Sequence, residues 1–167
     1  MLALGSMRIG VVSDTHDNTR NVARIVEILR DARVERVIHT GDITRAETLR
    51  VLAGVEVPLF GVYGNNDHAR EELGAAAAEL GIHLAEPPLE LHWAGRRIVV
   101  VHDRNAHLGL APHARDVLLH GHDHRYSFER VNGGIVFNPG ECAGWLEGWN
   151  SVGVLDLVSL ETERLRF

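Results

Sequence analysis

The sequence predicts an α/β protein in which two packed β-sheets are flanked by helices, as a four-layer α-β-β-α sandwich. Two observations lead to this fold class. Over residues 8–80, apolar runs of strand length alternate with segments of helical periodicity, a pattern typical of βαβ units and a parallel sheet. Over residues 89–158, short strand-like runs follow one another between Gly, Pro and Asn turns, so a second sheet is expected.

The first half begins with a buried strand, because residues 8–13 form an apolar run rich in β-branched side chains. Helices are predicted where apolar residues recur at helical spacing or where the composition favours a helix, and Gly81 ends the last of them. In chain order the predicted elements are strand 8–13, helix 22–29, strand 36–39, helix 46–52, strand 57–63 and helix 70–80.

Strands dominate the second half. They are predicted at residues 89–93, 97–101, 117–120, 126–131, 135–138 and 152–158, and only residues 108–115 among them could form a helix. No repeat, low-complexity tract or linker interrupts the chain, so residues 7–167 are expected to form a single domain. Residues 1–6 precede a second methionine and contain a Gly-Ser pair like a cloning scar, which predicts a tag remnant or a disordered start.

The composition is that of an ordinary globular protein. Hydrophobic residues make up 45% of the 167 residues and charged residues 24%, which excludes a disordered or collagen-like chain. The net charge of −6 argues against the broad basic surface that nucleic-acid binding requires. A single cysteine, Cys142, and the absence of a signal peptide or an apolar run of membrane-spanning length are typical of a cytoplasmic protein that does not enter a membrane.

Ligand-type side chains follow directly after five of the predicted strands. Open α/β sheets bind ligands beyond the carboxyl ends of their strands. Histidine, which occurs 11 times, is the commonest metal ligand in proteins. The side chains at these strand ends are Asp14, His16, Asp42, Asn65, His102, His122 and His124.

Each motif has an ordinary structural explanation when taken alone. The two aspartates could cap helices, the segment around Asn65 could be only a turn, and His102 could be a buried strand-end histidine. The His-x-His pair is more specific, since alternate residues of an extended segment can converge on one ion. Independent caps and turns have no reason to collect at one sheet edge, whereas a metal site requires it. The joint pattern therefore predicts a metal site.

The series Asp-x-His, Gly-Asp, Gly-Asn-x-Asp, His and Gly-His-x-His, spread over residues 14–124, resembles the calcineurin-like metallophosphoesterase superfamily. The small size and the run Phe137-Asn138-Pro139-Gly140 resemble its compact branch of bacterial and archaeal phosphodiesterases, which is similar in fold to the retromer scaffold subunit of eukaryotes. The resemblance covers nearly the whole chain. It implies two β-sheets packed face to face with helices on the outside.

The resemblance also implies two divalent metal ions that share a bridging carboxylate. By position, Asp14, His16, Asp42 and His124 would hold the first ion, and Asp42, Asn65, His102 and His122 the second. Mixed nitrogen and oxygen ligands suit Mn, Fe, Zn or Co, with Ni as a further alternative, and manganese is the family's frequent choice. A metal-bound hydroxide would attack the phosphoester, so no Ser, Cys or Thr nucleophile is needed.

The expected catalytic residues surround the bridging position. They are Asp42, Asn65, Asn66, Asp67 and His68. Superfamily members that cleave monoesters commonly carry a histidine where this chain has Asn66, and an amide cannot protonate a leaving group near neutral pH. The sequence therefore predicts a phosphodiesterase for small or cyclic-nucleotide-like esters. His68 could replace the missing acid or could simply be exposed at a helix start.

Three further acids lie close to the predicted ligands in sequence. Asp103 stands where the family usually has Gly, and Glu141 replaces the Ser that is common after Asn-Pro-Gly. Asp103 and Asp123 could orient ligand imidazoles or could be solvated loop acids. Glu141 could place a carboxylate near the site or could face water.

A catalytically weak or inactive binding scaffold on the same fold is the alternative function. A scaffold should present a large apolar patch, for which Trp145, Leu146 and Trp149 are candidates. The same residues could cap the core or form the contact of a homodimer or homo-oligomer. The complete ligand set favours the enzyme, whereas acidic charge and 5% aromatic residues disfavour a nuclease.

Overall fold

Two β-sheets and three α-helices make up the computed structural model, which describes residues 5–110, 112–113 and 115–167. Most of the tag or disordered start predicted at residues 1–6 lies outside the described residues. In chain order the elements are β1 (Arg8–Val12), α1 (Thr19–Asp31), β2 (Arg36–His39), α2 (Ala46–Leu52), β3 (Leu59–Val62), α3 (Arg70–Leu80), β4 (His83–Ala85), β5 (Leu89–Trp93), β6 (Arg96–Val100), β7 (Val117–Leu119), β8 (Ser127–Val131), β9 (Gly134–Asn138), β10 (Ser151–Asp156) and β11 (Thr162–Arg166).

The strand order brings the two halves of the chain together. The first sheet has the order β11-β10-β1-β2-β3-β4, and its strands β1 to β4 are parallel. The second sheet has the order β5-β6-β7-β9-β8, with β6, β7 and β9 parallel. The mixed α/β fold with two packed sheets is therefore confirmed. Within each sheet, the carboxyl ends of the parallel strands lie along one edge.

Side chains alternate between two apolar layers along the central strand β1. Ile9 and Val11 belong to the core between the sheets, whereas Val12 packs into the layer under the helices. Gly10 faces the helices as well, and a Cβ there would lie 2.8 Å from Cδ2 of Leu29. Because side chains of a strand point alternately to opposite faces, one short strand contributes to both layers. Helix α1 can approach β1 closely because the strand carries glycine at this contact.

Helical cover is unequal on the two outer faces. The three α-helices pack on the first sheet, where they bury residues such as Ile25, Leu49 and Leu73. On the outer face of the second sheet, the short 3-10 turn Arg104–His107 lines a small cavity together with Leu118 and Val136. The described residues of the range 108–115, where a helix was considered, contain no helix. In the described ranges, no helix is both long enough and apolar enough to cross a membrane.

A single substitution can test the packing between the two sheets. A Cβ at Gly153 of β10 would lie 2.4 Å from the ring of Phe137, whereas a Cβ at Gly54 would lie 3.6 Å from Val26. Gly153→Ala should lower the free energy of unfolding by roughly 1–3 kcal/mol through overpacking. Gly54→Ala should leave it unchanged or raise it by up to about 1 kcal/mol. Urea unfolding measures both, and equal effects would contradict this packing.

Candidate metal centre

The seven predicted ligands gather where strand ends of the two sheets meet. Asp14 and His16 follow β1, Asp42 follows β2 and Asn65 follows β3. His102 follows β6, and the His-x-His pair follows β7. Asp14, His16, Asp42 and His102 are buried, His124 is half-buried, and Asn65 and His122 are exposed. One side of the cluster is therefore buried in the protein, and the other side is open to small molecules.

One group of ligand atoms forms around Asp14. Single ligand atoms of Asp14, His16 and His124 all lie within 4.8 Å of one another. The Nε2 atom of His124 is 3.5 Å from Oδ1 of Asp14. The Nε2 atom of His16 is 3.6 Å from Oδ2 of Asp42. Two imidazole nitrogens and one carboxylate oxygen thus form a group that could hold an ion, and an oxygen of Asp42 lies beside the nitrogen of His16.

A second group forms on the other oxygen of Asp42. Its Oδ1 atom is 3.4 Å from Nε2 of His102. The Oδ1 atom of Asn65 lies 3.0 Å from both Nε2 of His102 and Nδ1 of His122, and these two nitrogens are 3.3 Å apart. Asp42 thus faces His16 with one oxygen and His102 with the other. Asp14 belongs to both sets of atoms that could hold an ion, the first with His16 and His124 and the second with Asp42 and His102.

The donor set fits divalent cations. Oδ1 of Asp14 and Nε2 of His16 are buried and have no hydrogen-bond partner among the described residues, although buried polar atoms are normally paired. His102 donates from Nδ1 to the carbonyl of Thr40 at 2.9 Å, so Nε2 is the ring nitrogen that faces the site. A cation bound to these atoms would satisfy them.

Burial and hydrogen bonding set the protonation of the ligands. Burial raises the pKa of Asp14, against the hydrogen bond from Ser13. Burial also opposes ionisation of Asp42, but hydrogen bonds from His102 and Asn66 hold the pKa of Asp42 well below its usual value. Burial lowers the pKa of His16, so this imidazole stays neutral near pH 7. A neutral imidazole is the form that binds metal.

Left-handed backbone conformations concentrate at this cluster. Twelve non-glycine residues of the described ranges have positive φ, and five of them are predicted ligands, with φ of 51° at Asp14, 47° at His16, 59° at Asp42, 74° at His122 and 58° at His124. Such conformations cost free energy and are found mainly at functional sites. The loops are shaped to direct these side chains at one another.

Comparison with known proteins assigns the family. Residues 7–160 match the model of the calcineurin-like phosphoesterase superfamily domain. The chain belongs to this superfamily. Membership makes it a hydrolase of phosphoesters, and the metal-ligand geometry agrees with the metal dependence of the family.

Relatives place this phosphoesterase near archaeal phosphodiesterases. It is 30% identical over 154 residues to the phosphodiesterase MJ0936 of Methanocaldococcus jannaschii, covering 90% of this chain and 93% of that protein. A solved archaeal phosphodiesterase superposes with a TM-score of 0.86 at 30% identity, over 96% of this chain and all of that one. Vps29 of Entamoeba histolytica shares the fold, with a TM-score of 0.64 at 21% identity over 96% of this chain and 99% of its own.

Two glycines let the loops of this phosphoesterase approach each other. A Cβ at Gly64 would lie 2.2 Å from Oδ1 of Asp42. A Cβ at Gly121 would lie 1.8 Å from Oγ of Ser13 and 2.6 Å from Oδ2 of Asp14. Any side chain at either position would displace a predicted ligand. Gly64 and Gly121 are therefore part of the site although they carry no ligand atom.

His39, at the end of β2, was not recognised from the sequence. Its Nδ1 atom accepts the backbone N–H of Gly41 at 3.1 Å, so its Nε2–H donates to Oγ1 of Thr15, 2.9 Å away. One buried imidazole thus joins the loop of Asp14 to the loop of Asp42. Its position two residues before a Gly-Asp pair was the only sequence signal.

Asn138, in the run Phe137-Asn138-Pro139-Gly140, also holds a loop of the site in place. Its amide donates to the carbonyl of Gly121 and to Oδ1 of Asp123, at 3.2 and 2.7 Å. Its Oδ1 accepts the N–H of Gly140 at 3.0 Å. The motif therefore fixes the loop that carries the His-x-His pair.

The three residues that follow Asn65 have different surroundings. Asn66 donates to both oxygens of Asp42, from its backbone N–H at 2.9 Å and from its amide at 2.7 Å. Asp67 is buried, and its carboxylate accepts backbone N–H groups of Asp42, Thr44 and Gly64 at 3.0, 2.6 and 2.7 Å. His68 is exposed, and the structure records no side-chain hydrogen bond for it within the described ranges. Geometry thus favours positioning for Asn66 and Asp67.

The three acids near the predicted ligands differ in their contacts and in their burial. Oδ2 of Asp103 is 3.9 Å from Nε2 of His122, so this acid faces a predicted ligand. Asp123 faces Asn138 and the N–H of Arg125 instead. Glu141 is fully buried and does not face water. The exposed Trp145 stacks on His124, with ring centroids 4.6 Å apart.

Acid should destabilise this phosphoesterase through His39. Burial lowers the pKa of His39 from 6.5 to about 3, so the unfolded chain binds this proton first as the pH falls. The contribution is complete above pH 6.5 and is lost between pH 6.5 and about 3, with a slope of up to about 1.4 kcal/mol per pH unit. Denaturant unfolding of the metal-free protein should show a shallower pH dependence for His39→Gln. Identical slopes would contradict this role.

Proposed function

We propose that this chain hydrolyses small phosphodiesters with the help of two divalent cations held on either side of Asp42. The observation that carries the proposal is the position of that carboxylate. Its two oxygens lie 3.6 Å from Nε2 of His16 and 3.4 Å from Nε2 of His102, so each oxygen faces a different ligand group. A carboxylate has the charge and the two acceptor atoms that a shared position demands.

The proposal uses the two ligand sets that the family resemblance implies. Asp14, His16, Asp42 and His124 would hold one cation, and Asp42, Asn65, His102 and His122 the other, with manganese as the first ion to test. When bound, such cations lower the pKa of a water molecule and neutralise phosphoryl oxygens. The chain itself supplies the neutral imidazole of His16, an ionised Asp42 and loops that need little rearrangement, because their hydrogen bonds already fix them.

A cavity beside the second group suits a small ester. It has a volume of about 270 Å³ and is lined by the ligands Asn65, His102 and His122 together with Tyr63 and Arg70. The Arg70 guanidinium lies over the Tyr63 ring, 4.3 Å from its centroid. The cavity has room for a small ester beside the predicted ligands. Its charged lining side chains are Arg70, which pairs with Glu86 at 3.0 Å, and Asp103.

Asn66 supports a diester rather than a monoester. Its amide donates to Asp42 and has no proton to give to a leaving group near neutral pH. Without such an acid, the leaving group must depart with little assistance, as good alcohol leaving groups of diesters can do. The similarity to proteins named as phosphodiesterases agrees with this preference.

The scaffold alternative has less support. A scaffold gains nothing from holding five predicted ligands in left-handed backbone conformations. Its expected apolar patch contains Trp145, whose ring packs on His16 and His124. This surface therefore adjoins the ligand cluster.

Chelator-treated protein should gain activity on bis-p-nitrophenyl phosphate when Mn²⁺ is added, and should cleave p-nitrophenyl phosphate more slowly. Asp42→Asn should reduce diester hydrolysis on the order of a hundredfold or more, because even partners outside the ligand set contribute about 10- to 100-fold. The matched control is Asp31→Asn, which makes the same charge change at an exposed residue of α1. Inactivity with every metal tested, a preference for the monoester, or an active Asp42→Asn variant would each contradict the proposal.

A further inference from the structure

Glu141 is a buried carboxylate at the edge of the ligand cluster. No part of Glu141 is exposed to solvent. The side chain accepts the backbone N–H groups of Trp145 and Leu146 at 2.6 and 3.0 Å, and the backbone carbonyl accepts the N–H of Ser151 at 2.8 Å. A buried charge needs several such partners. Two N–H groups leave carboxylate acceptor capacity unused.

His124 lies beside the Glu141 carboxylate, which can accept a further hydrogen bond. Its Nδ1 atom is 3.6 Å from Oε1 of Glu141, while its Nε2 atom is 3.5 Å from Oδ1 of Asp14. Nδ1 is buried and has no hydrogen-bond partner among the described residues. At 3.6 Å the contact with Glu141 is about 0.6 Å longer than a typical N–H···O hydrogen bond, so it is not one in this structure. A small rotation of the imidazole would complete the contact.

The loop that Glu141 anchors packs on the same imidazole. The Trp145 ring stacks on His124 with 15° between the ring planes, and it lies 4.3 Å from the ring of His16. The N–H of Trp145 donates to Glu141. The same carboxylate therefore lies at the edge of the His124 ring and anchors the tryptophan that packs on the face of that ring. Lateral movement of the imidazole is thereby limited.

We propose that Glu141 is a positioning residue that fixes His124 as the Nδ1–H tautomer and directs its Nε2 lone pair at the first cation. The inference rests on the proposed metal site. A carboxylate that accepts Nδ1–H from an imidazole sets the tautomer, fixes the ring orientation and makes Nε2 a more basic ligand. Glu141 also adds negative charge behind a group that must attract a cation.

The tautomer of His124 in the metal-free protein is the direct test. Nitrogen-15 NMR at a pH where the imidazole is neutral should show His124 protonated on Nδ1. Glu141→Gln should weaken this tautomer preference, because an amide is a poorer acceptor than a carboxylate. Wild-type protein with the proton on Nε2 would overturn the proposal, and that outcome requires no variant to fold.

Calorimetric titration with Mn²⁺ gives an independent readout. Glu141→Gln should weaken binding of one ion by about 10- to 100-fold. The control Glu147→Gln makes the same charge change at an exposed position of the same loop and should leave both the tautomer and the affinity unchanged. Unchanged tautomer and Mn²⁺ affinity in a less stable Glu141→Gln protein would mean a merely structural role. If wild-type protein binds no metal, the proposed function fails, while the NMR experiment still decides the contact of Glu141 with His124.

Discussion

The site depends on the carboxylate of Asp42, which faces His16 with one oxygen and His102 with the other. A carboxylate in this position must be held by both oxygens, kept ionised in spite of burial, and approached closely from two sides. Asn66 donates to each oxygen, and Gly64 leaves the space that a side chain would fill. Asp67 fixes the backbone on both sides of the contact through three N–H groups. These are local requirements, and each is met by a residue of the loops after β2 and β3.

The two-sheet architecture makes this arrangement possible. Parallel strands of both sheets end at the ligand cluster, so loops that are far apart in the sequence can contribute to it. Apolar burial between the sheets and under the helices stabilises the strands, which allows the loops to keep strained backbone conformations. Side chains that carry no ligand atom then join the loops to one another. His39 connects the first two loops, and Asn138 holds the loop of the His-x-His pair.

Much of the fold could be predicted because its signals are local. The buried strand β2 and the helices α2 and α3 were predicted with the bounds that the structure gives, since apolar residues occur there in runs, at helical spacing or among strong helix formers. Strands β4 and β11 were not predicted. The first has only three residues, and the second, Thr162–Arg166, is an edge strand with charged side chains and a single leucine.

The gathering of the predicted ligands also followed from their positions after strands. The partners of those ligands did not, because they depend on contacts between distant segments. Glutamate is rarely fully buried, so nothing in the sequence favoured the buried position of Glu141 over an exposed one. Which imidazole nitrogen faces the site is likewise decided by acceptors such as the Thr40 carbonyl, 62 residues away from His102 along the chain.

Anomalous diffraction at the manganese absorption edge, from crystals grown with Mn²⁺, tests the shared position of Asp42 most directly. Two peaks roughly 3.5 to 4 Å apart are expected, with Asp42 in contact with both. His16 and His124 should contact one peak, and His102 and His122 the other. A single peak, or two peaks of which only one touches Asp42, would contradict the two-cation site.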